Sequence, residues 1–226
     1  PTHIMGTDSL GRDVFAQLVL GIVLSLQIGF TAALISVASG TMIGFVAGYY
    51  GGKVDLILRG MSDVMITVPM LPVLILVAAS LRSIDILTLA LILAVFSWPW
   101  PARQVRGEVI SLKEREFVQM AKLSGMSNME IIVHELIIHM IPWIAAAFIN
   151  TVLWAILAET GLEILGLGPQ HTMTLGMTIY WAIFYGAVMR GIWWWWGFPV
   201  ITLVVLFISL YGMSEGIASI ASHGRR

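Results

Sequence analysis

Cysteine is absent from this chain, which excludes disulfides and thiolate-held metals. Charge is scarce. Asp, Glu, Lys and Arg make up 11% of the 226 residues, against 58% hydrophobic residues. Ordinary soluble domains carry about 25% charged residues, so this composition does not supply a water-facing surface. No basic run of the kind that grips nucleic acid is present, and a net charge of −1 favours no particular partner. The sequence has no G-x-x-x-x-G-K-[ST] phosphate loop, so it offers no nucleotide site of that type. A cleavable signal-peptide pattern is also lacking. The chain begins at Pro1 rather than Met, and residues are expected to be missing upstream.

What the chain does have is long uncharged stretches. None of the residues between Asp13 and Lys53 is charged, nor between Asp63 and Arg82, Asp85 and Arg103, Glu135 and Glu159, or Arg190 and Glu215. A helix needs about 20 apolar residues to cross a bilayer core, and in lipid a helix satisfies its own backbone. The fold expected is therefore an all-α membrane protein, a polytopic helix bundle with five spans: Ile22–Tyr50, Asp63–Leu81, Ile86–Ala102, Ile141–Ala158 and Trp194–Met213. The stretch from Gly166 to Met189 is also uncharged, but Gly166, Gly168, Pro169 and Gly176 interrupt it. It reads as a loop with a short helix at the membrane surface. Pro69, Pro72, Pro99 and Pro101 are expected to set helix ends and kinks.

With five spans, the loops alternate between two sides. One side holds Lys53, Arg59, Arg103, Arg106, Lys113, Arg115, Lys122, Arg225 and Arg226; the other holds Arg12, Arg82 and Arg190. The richer side is cytoplasmic by the positive-inside rule. The segment 1–21 and the loop 159–193 are then extracellular, residues 103–140 are cytoplasmic, and the C-terminus is inside.

Ser36, Gly40, Gly44 and Gly48 recur every four residues on the first span. That spacing makes one stripe of small residues, which lets a neighbouring backbone approach closely. The stripe serves either plain helix packing or contact with a moving helix. Trp193 to Trp196 form a run of four, read as an interfacial aromatic belt or a stacking surface for a ligand. Glu159 and Glu163 share a helix face where the fourth span ends. They are either solvated ends or, for Glu159 above all, part of the mouth of a pathway, together with Trp154. His134 and His139 are five apart, and His134-Glu135 is followed by one residue too many for H-E-x-x-H. They read as structural, and neither a metal site nor a catalytic residue is expected.

The longest charged stretch lies between the third and fourth spans. Phe117–Ser124 can form a short helix, Gly125 can end it in the left-handed region, and Ser127 or Asn128 can start the next. A short exposed helix of this kind is either a solvated loop or a docking element for a groove on a partner.

The residues here resemble the coupling motif of binding-protein-dependent ABC transporter permeases: E-A-A, three residues, G, about nine residues, I, and later L-P. Gln119-Met120-Ala121 stand at E-A-A, Gly125 at the glycine and Ile141-Pro142 at the closing pair. Further motifs resemble the second permease of dipeptide and oligopeptide importers. They are Gly6-Thr7-Asp8, Gly11-Arg12-Asp13, Gly48-Tyr49-Tyr50-Gly51-Gly52 with Asp55, Trp98-Pro99, Ala102-Arg103, Val105-Arg106-Gly107-Glu108, Leu165-Gly166-Leu167-Gly168, and the tryptophans before Pro199. The resemblance covers nearly the whole chain.

It implies a type I importer permease, one transmembrane permease domain over 1–226, whose usual first span is absent here. It also implies ATPase coupling through Phe117, Gln119, Met120, Ala121, Leu123, Gly125 and Met126. The implied partners are a second permease forming a heterodimer, two ATP-binding subunits that hold ATP and Mg2+, and an extracellular binding protein, in a plasma (inner) membrane. No cofactor is expected on this chain. The implied cargo is short peptides, with oligosaccharides, nickel or glutathione as alternatives in the same class. Gln119 departs from the Glu of the motif, which removes a charge-assisted contact. An intramembrane enzyme would need polar catalytic groups inside a span, and an ion channel a filter or charged ring; the five stretches hold no Asp, Glu, Lys or Arg.

Overall fold

The computed structural model of the chain describes residues 3–81 and 83–223, with side chains through 219. Arg82, Arg225 and Arg226, which entered the orientation count, lie outside the described residues. Among those residues the fold is all helical, apart from an isolated bridge between Thr7 and Asp13. The helices are α1 (Val14–Tyr50), α2 (Gly52–Thr67), α3 (Met70–Ser80), α4 (Ile86–Ser97), α5 (Pro99–Leu112), α6 (Glu116–Leu123), α7 (Asn128–Glu130), α8 (Ile137–Ile164), α9 (Leu175–Phe184) and α10 (Trp193–His223); a π-helical turn, Ile131–Leu136, joins α7 to α8.

Three helices, α1, the run 128–164 and α10, are long and apolar enough to cross a membrane. Two broken pairs, α2 with α3 and α4 with α5, raise the count to five if each is one span. The ten-residue α9 is apolar but shorter.

Several boundaries differ from those expected, each for a local reason. The first helix starts at Val14 rather than Ile22, because the Asp13 carboxylate accepts the Phe15 amide at 2.9 Å and caps it. At 37 residues, and about 1.5 Å per residue, it is about 55 Å long, well beyond a bilayer core of about 30 Å. The second expected span, Asp63–Leu81, is not one helix. Pro69 lacks an amide hydrogen and holds Val68 extended (φ −69°, ψ 126°), so the chain breaks between α2 and α3. Pro99 and Pro101 sit in the first turn of α5, where a missing donor costs little. Pro142 lies inside α8, just after the π-helical turn. The fifth span also runs on to His223 instead of Met213.

The chain divides into two compact units. One comprises the chain up to Ala32, Met70–Leu93 and Val152–Tyr211; the other comprises Ala33–Pro69, Ala94–Thr151 and the chain from Gly212. In the first, Trp195 is fully buried among Val14, Ala182 and Ala187. In the second, α1 packs on α5 along its stripe of small residues. A Cβ at Gly40 would lie 2.6 Å from the Trp98 carbonyl oxygen, one at Gly44 2.6 Å from that of Ala102, and one at Gly48 2.9 Å from that of Arg106. Those three carbonyls are themselves four residues apart. The stripe therefore rides along one row of backbone oxygens, which any side chain would push away. Ser36, at the head of the stripe, is buried.

Candidate functional site

The second unit carries the segment that the motif singles out. Helix α6 has one buried side and one open side. Val118 and Ala121 sit in a core with Phe45, Val105, Val109, Ile131, Leu136 and Met140. Phe117 and Met126 pack half-buried against that core, and the Phe117 ring stacks on His139 at 4.5 Å. Gln119, Met120 and Leu123 point outward. Met120 is 67% exposed and Leu123 84% exposed, both on a helix of eight residues. Of the seven residues that the resemblance picks out, Phe117, Ala121 and Met126 anchor the segment, Gln119, Met120 and Leu123 face outward, and Gly125 forms the turn.

One cap closes this helix and a second starts the next. Gly125 lies at φ +84°; its amide donates to the Lys122 carbonyl at 3.1 Å, and the Met126 amide donates to the Ala121 carbonyl at 3.2 Å. These two bonds form a Schellman closure, which needs a left-handed residue at its turn. No atom lies within 4 Å of where a Gly125 Cβ would stand, so backbone conformation rather than space selects glycine there. Ser127 then starts the next helix through a capping box: its hydroxyl accepts the Glu130 amide, and the Glu130 carboxylate accepts the Ser127 amide at 2.7 Å.

Sequence reading passed over several residues that hold the segment in place. The Tyr49 hydroxyl donates to Asn128 Oδ1 at 2.9 Å, tying the end of α1 to the start of α7. Asp55 on α2 accepts two bonds from Arg106 on α5, one from Nε and one from Nη2 at 2.6 Å. Tyr49, Asp55 and Arg106 all belong to motifs quoted above, yet only the folded chain displays their partners. His134 and His139 each set Nδ1 against a backbone carbonyl four residues earlier, Glu130 and Glu135. Among the described residues, no group of three or more His, Cys, Asp or Glu is placed to hold a metal.

In the first unit, Glu159 and Glu163 are fully buried, so of the two alternatives given for them, solvated helix ends is excluded. Glu159 Oε1 accepts the Ser25 hydroxyl at 2.9 Å, and Ser25 Oγ accepts the Leu175 amide at 3.2 Å. Glu163 Oε2 accepts Thr174 Oγ1 at 2.6 Å and the Met177 amide at 3.1 Å. Because Thr174 is the N-cap of α9, Glu163 on α8 secures that helix at its start. Gly168 and Gly176 leave the room for it: a Cβ at either would collide with the Glu163 side chain. Position along a span does not reveal what packs over its end, so the sequence left both alternatives open. Trp154 on α8 is 40% exposed.

The tryptophan run is also not a plain belt. Trp193 is exposed, but Trp195 is core, and the Trp194 indole donates to the Thr7 carbonyl at 3.0 Å. Gly6, at φ +75°, lies so close that a Cβ would sit 2.8 Å from Trp194 Nε1. The neighbouring Asp8 organises its own loop. It accepts the Leu10 and Arg12 amides at 2.8 Å, Arg12 Nε at 2.7 Å and Gln17 Nε2 at 2.8 Å. Burial opposes the Asp8 charge, but these bonds outweigh it and hold the carboxyl below its usual 3.8. A cavity of about 530 Å3 in the same unit is lined by Gln27, Thr31, Asp85, His171 and Thr172.

Residues 40–219 match the family described as binding-protein-dependent transport system inner membrane component. An oligopeptide transport system permease protein, OppC, of Mycobacterium bovis is 39% identical over 173 residues, 74% of this chain and 58% of that protein. The dipeptide transport system permease protein DppC of Bacillus subtilis is 33% identical over 219 residues, 95% of this chain and 67% of that protein. The chain thus spans 58% of the length of the mycobacterial relative. Among solved structures, a chain from the MetNI methionine ABC transporter in inward-facing conformations superimposes with a TM-score of 0.70 at 17% identity, covering 91% of this chain and 96% of that one. At that identity the likeness concerns the fold.

Proposed function

Since the chain belongs to the family of binding-protein-dependent transport system inner membrane components, and is thus a multi-pass inner-membrane protein, we propose that it forms half of the translocation pathway of an ATP-driven importer of short peptides. In this reading α6 and the Gly125 turn dock on an ATP-binding subunit. A second permease completes the pathway, and an extracellular binding protein delivers the cargo. ATP and Mg2+ sit on the two ATP-binding partners, and this chain is a non-catalytic subunit.

The observation that carries the docking role is the pair Met120 and Leu123, exposed on a helix whose other side is locked into the core. An amphipathic helix offered in this way fits the helix-in-groove mode of recognition. The names of the relatives, oligopeptide and dipeptide permeases, favour peptide cargo. The Lys and Arg bias favours residues 103–140 on the cytoplasmic side, with segment 1–21 and loop 159–193 outside. Closure of the ATP-binding subunits would move α6 as a rigid piece and rock the spans between inward- and outward-facing states. Trp154 lines the pathway, whereas the buried Glu159 keeps α1 and α8 in register through Ser25.

The test is reconstitution of the chain with ATP-binding subunits, a second permease and a binding protein from the same source. ATP-dependent uptake of a labelled dipeptide or tripeptide is expected. Uptake without ATP, or purification with no ATP-binding subunit attached, would overturn the reading.

A further inference from the structure

Helices α1, α2 and α5 enclose a cavity of about 230 Å3 whose polar wall includes Arg59, Arg103, Arg106 and Asp63. Drug-sized ligands occupy about 300–1,000 Å3, so this space suits something smaller, on the scale of a single anionic group. Its floor is apolar and tight, with Gly44 and Ala102 among the lining residues.

The charges here do not balance. Among the described residues, the ion pairs of the three guanidinium groups go to two carboxylates, Asp55 and Asp63. Arg106 is committed, held by Asp55 through two nitrogens. Arg59 Nε reaches Asp63 Oδ2 at 3.2 Å. Arg103 stands 3.9 Å from Asp63 Oδ1, an ion-pair distance but outside hydrogen-bond reach, with its side chain 60% exposed. One positive charge and the Arg103 donor fork therefore face the cavity without a bonded acceptor. A planar guanidinium presents paired N–H groups that match a phosphate in geometry, which an ammonium does not. Helix α5 carries Arg103 beside the backbone row on which Gly40 and Gly44 ride, so its base is rigidly placed while its tip holds only the long ion pair to Asp63.

We propose that this cavity binds a phosphate-type anion, with Arg103 and Arg59 as its grip. The source the surroundings favour is the headgroup of an anionic phospholipid, because basic pockets between membrane helices on the cytoplasmic side attract such lipids. That choice of source rests on the sidedness proposed above; the anion site itself does not. Free phosphate shares the chemistry and is the alternative source.

The experiment uses the purified full chain in detergent, as wild type, Arg103→Gln, Arg59→Gln and Arg115→Gln. Native mass spectrometry reads retention of phosphatidylglycerol and phosphatidylcholine, and thermal unfolding reads stabilisation by inorganic phosphate against chloride at equal ionic strength. Phosphatidylglycerol is expected to be retained over phosphatidylcholine. Arg103→Gln should weaken that retention about fivefold, the factor matching about 1 kcal/mol per basic residue at an anionic surface. Arg115→Gln, outside the cavity, should leave it unchanged. Stabilisation by phosphate that Arg103→Gln and Arg59→Gln abolish, with no lipid preference, upholds the site and assigns it to the free anion. Equal behaviour of all four proteins toward both ligands overturns the proposal. Neither readout depends on transport, so failure here leaves the importer reading untouched.

Discussion

Asp55, in the first turn of α2, and Arg106, midway along α5, hold each other through two parallel hydrogen bonds although 51 residues separate them. Both side chains are only about one-fifth exposed, at 20% and 22%, so solvent screens the pair less than it would a surface bridge. The Arg106 carbonyl also faces Gly48 of α1, which makes Arg106 a joint where three helices meet.

Removing one member leaves the other half-buried and unpaired. Asp55→Ala is expected to cost about 2 kcal/mol, the order of a charge-assisted hydrogen bond lost in such a setting. Arg106→Ala added to Asp55→Ala should cost less than Arg106→Ala alone, because the pair is already broken. Thermal unfolding of the four proteins of this cycle in detergent measures the coupling. Strictly additive losses would mean that the pair contributes nothing as a pair.

How much of this could be read beforehand depended on whether a feature is local. The Gly125 turn, the short helix before it and the Ser127 start are all local devices, and their residues announced them. The small-residue stripe was visible as a period of four, but its partner was not; the carbonyl row of α5 emerges only when the chain folds back. The solvated alternative for Glu159 and Glu163 fails for the same reason. A carboxylate near the end of an apolar stretch reads as solvated, and nothing at positions 159 or 163 signals that Ser25 and Thr174 will come to meet it. The Pro69 break was present as a proline, yet a run of apolar residues across it suggested one helix.

The Glu163 socket yields a second expectation. Glu163→Ala leaves the Thr174 hydroxyl without its acceptor and the Met177 amide with Thr174 Oγ1 alone, a loss of about 1–3 kcal/mol for a buried donor. Gly176→Ala should be as harmful from the other side, since its Cβ would meet the Thr160 Cα at 2.9 Å and the Glu163 Cβ at 3.0 Å. Hydrogen exchange of the α9 amides is expected to accelerate in both variants while exchange in α5 stays at the wild-type rate.

The Asp8 loop predicts a pH dependence with a definite sign. Its carboxyl titrates below the usual 3.8 in the folded chain. The stabilisation is thus complete above the unfolded-state value and disappears as pH falls through the lower folded value. Wild type should lose thermal stability in that acid window, and Asp8→Asn should be less stable at neutral pH and lose less on acidification. Parallel pH profiles for the two proteins would contradict the assignment.

The outward face of α6 separates docking from folding. Leu123→Asp and Met120→Asp place a charge on side chains that are 84% and 67% exposed, so thermal stability should change by no more than about 0.5 kcal/mol. Val118→Asp, by contrast, buries an unpaired carboxylate in the core that Val118 shares with Phe45 and Leu136, and should unfold this region. If α6 is the docking helix, the first two variants lose co-purification with the ATP-binding subunits while remaining folded. Retained co-purification in both would remove the docking role from this face.

Gly125 allows conformation and function to be told apart at one position. Its φ of +84° costs an L-residue about 1–2 kcal/mol, and the space around the missing Cβ is open. Neither alanine nor aspartate meets a steric wall, and alanine carries at least as much local strain as aspartate, whose short polar side chain eases the left-handed region. Asparagine tolerates the left-handed region better than alanine, so Gly125→Asn should be the mildest change in stability. Gly125→Asp should insert into the membrane at wild-type levels yet lose ATP-driven uptake, because its charge would sit on the turn proposed to carry the motion. Gly125→Ala separates the causes: if its uptake falls as far as that of Gly125→Asp, strain in the turn is responsible, and if it keeps most of its uptake, the charge is. Normal uptake by Gly125→Asp would mean that this turn does not transmit the ATP-driven step.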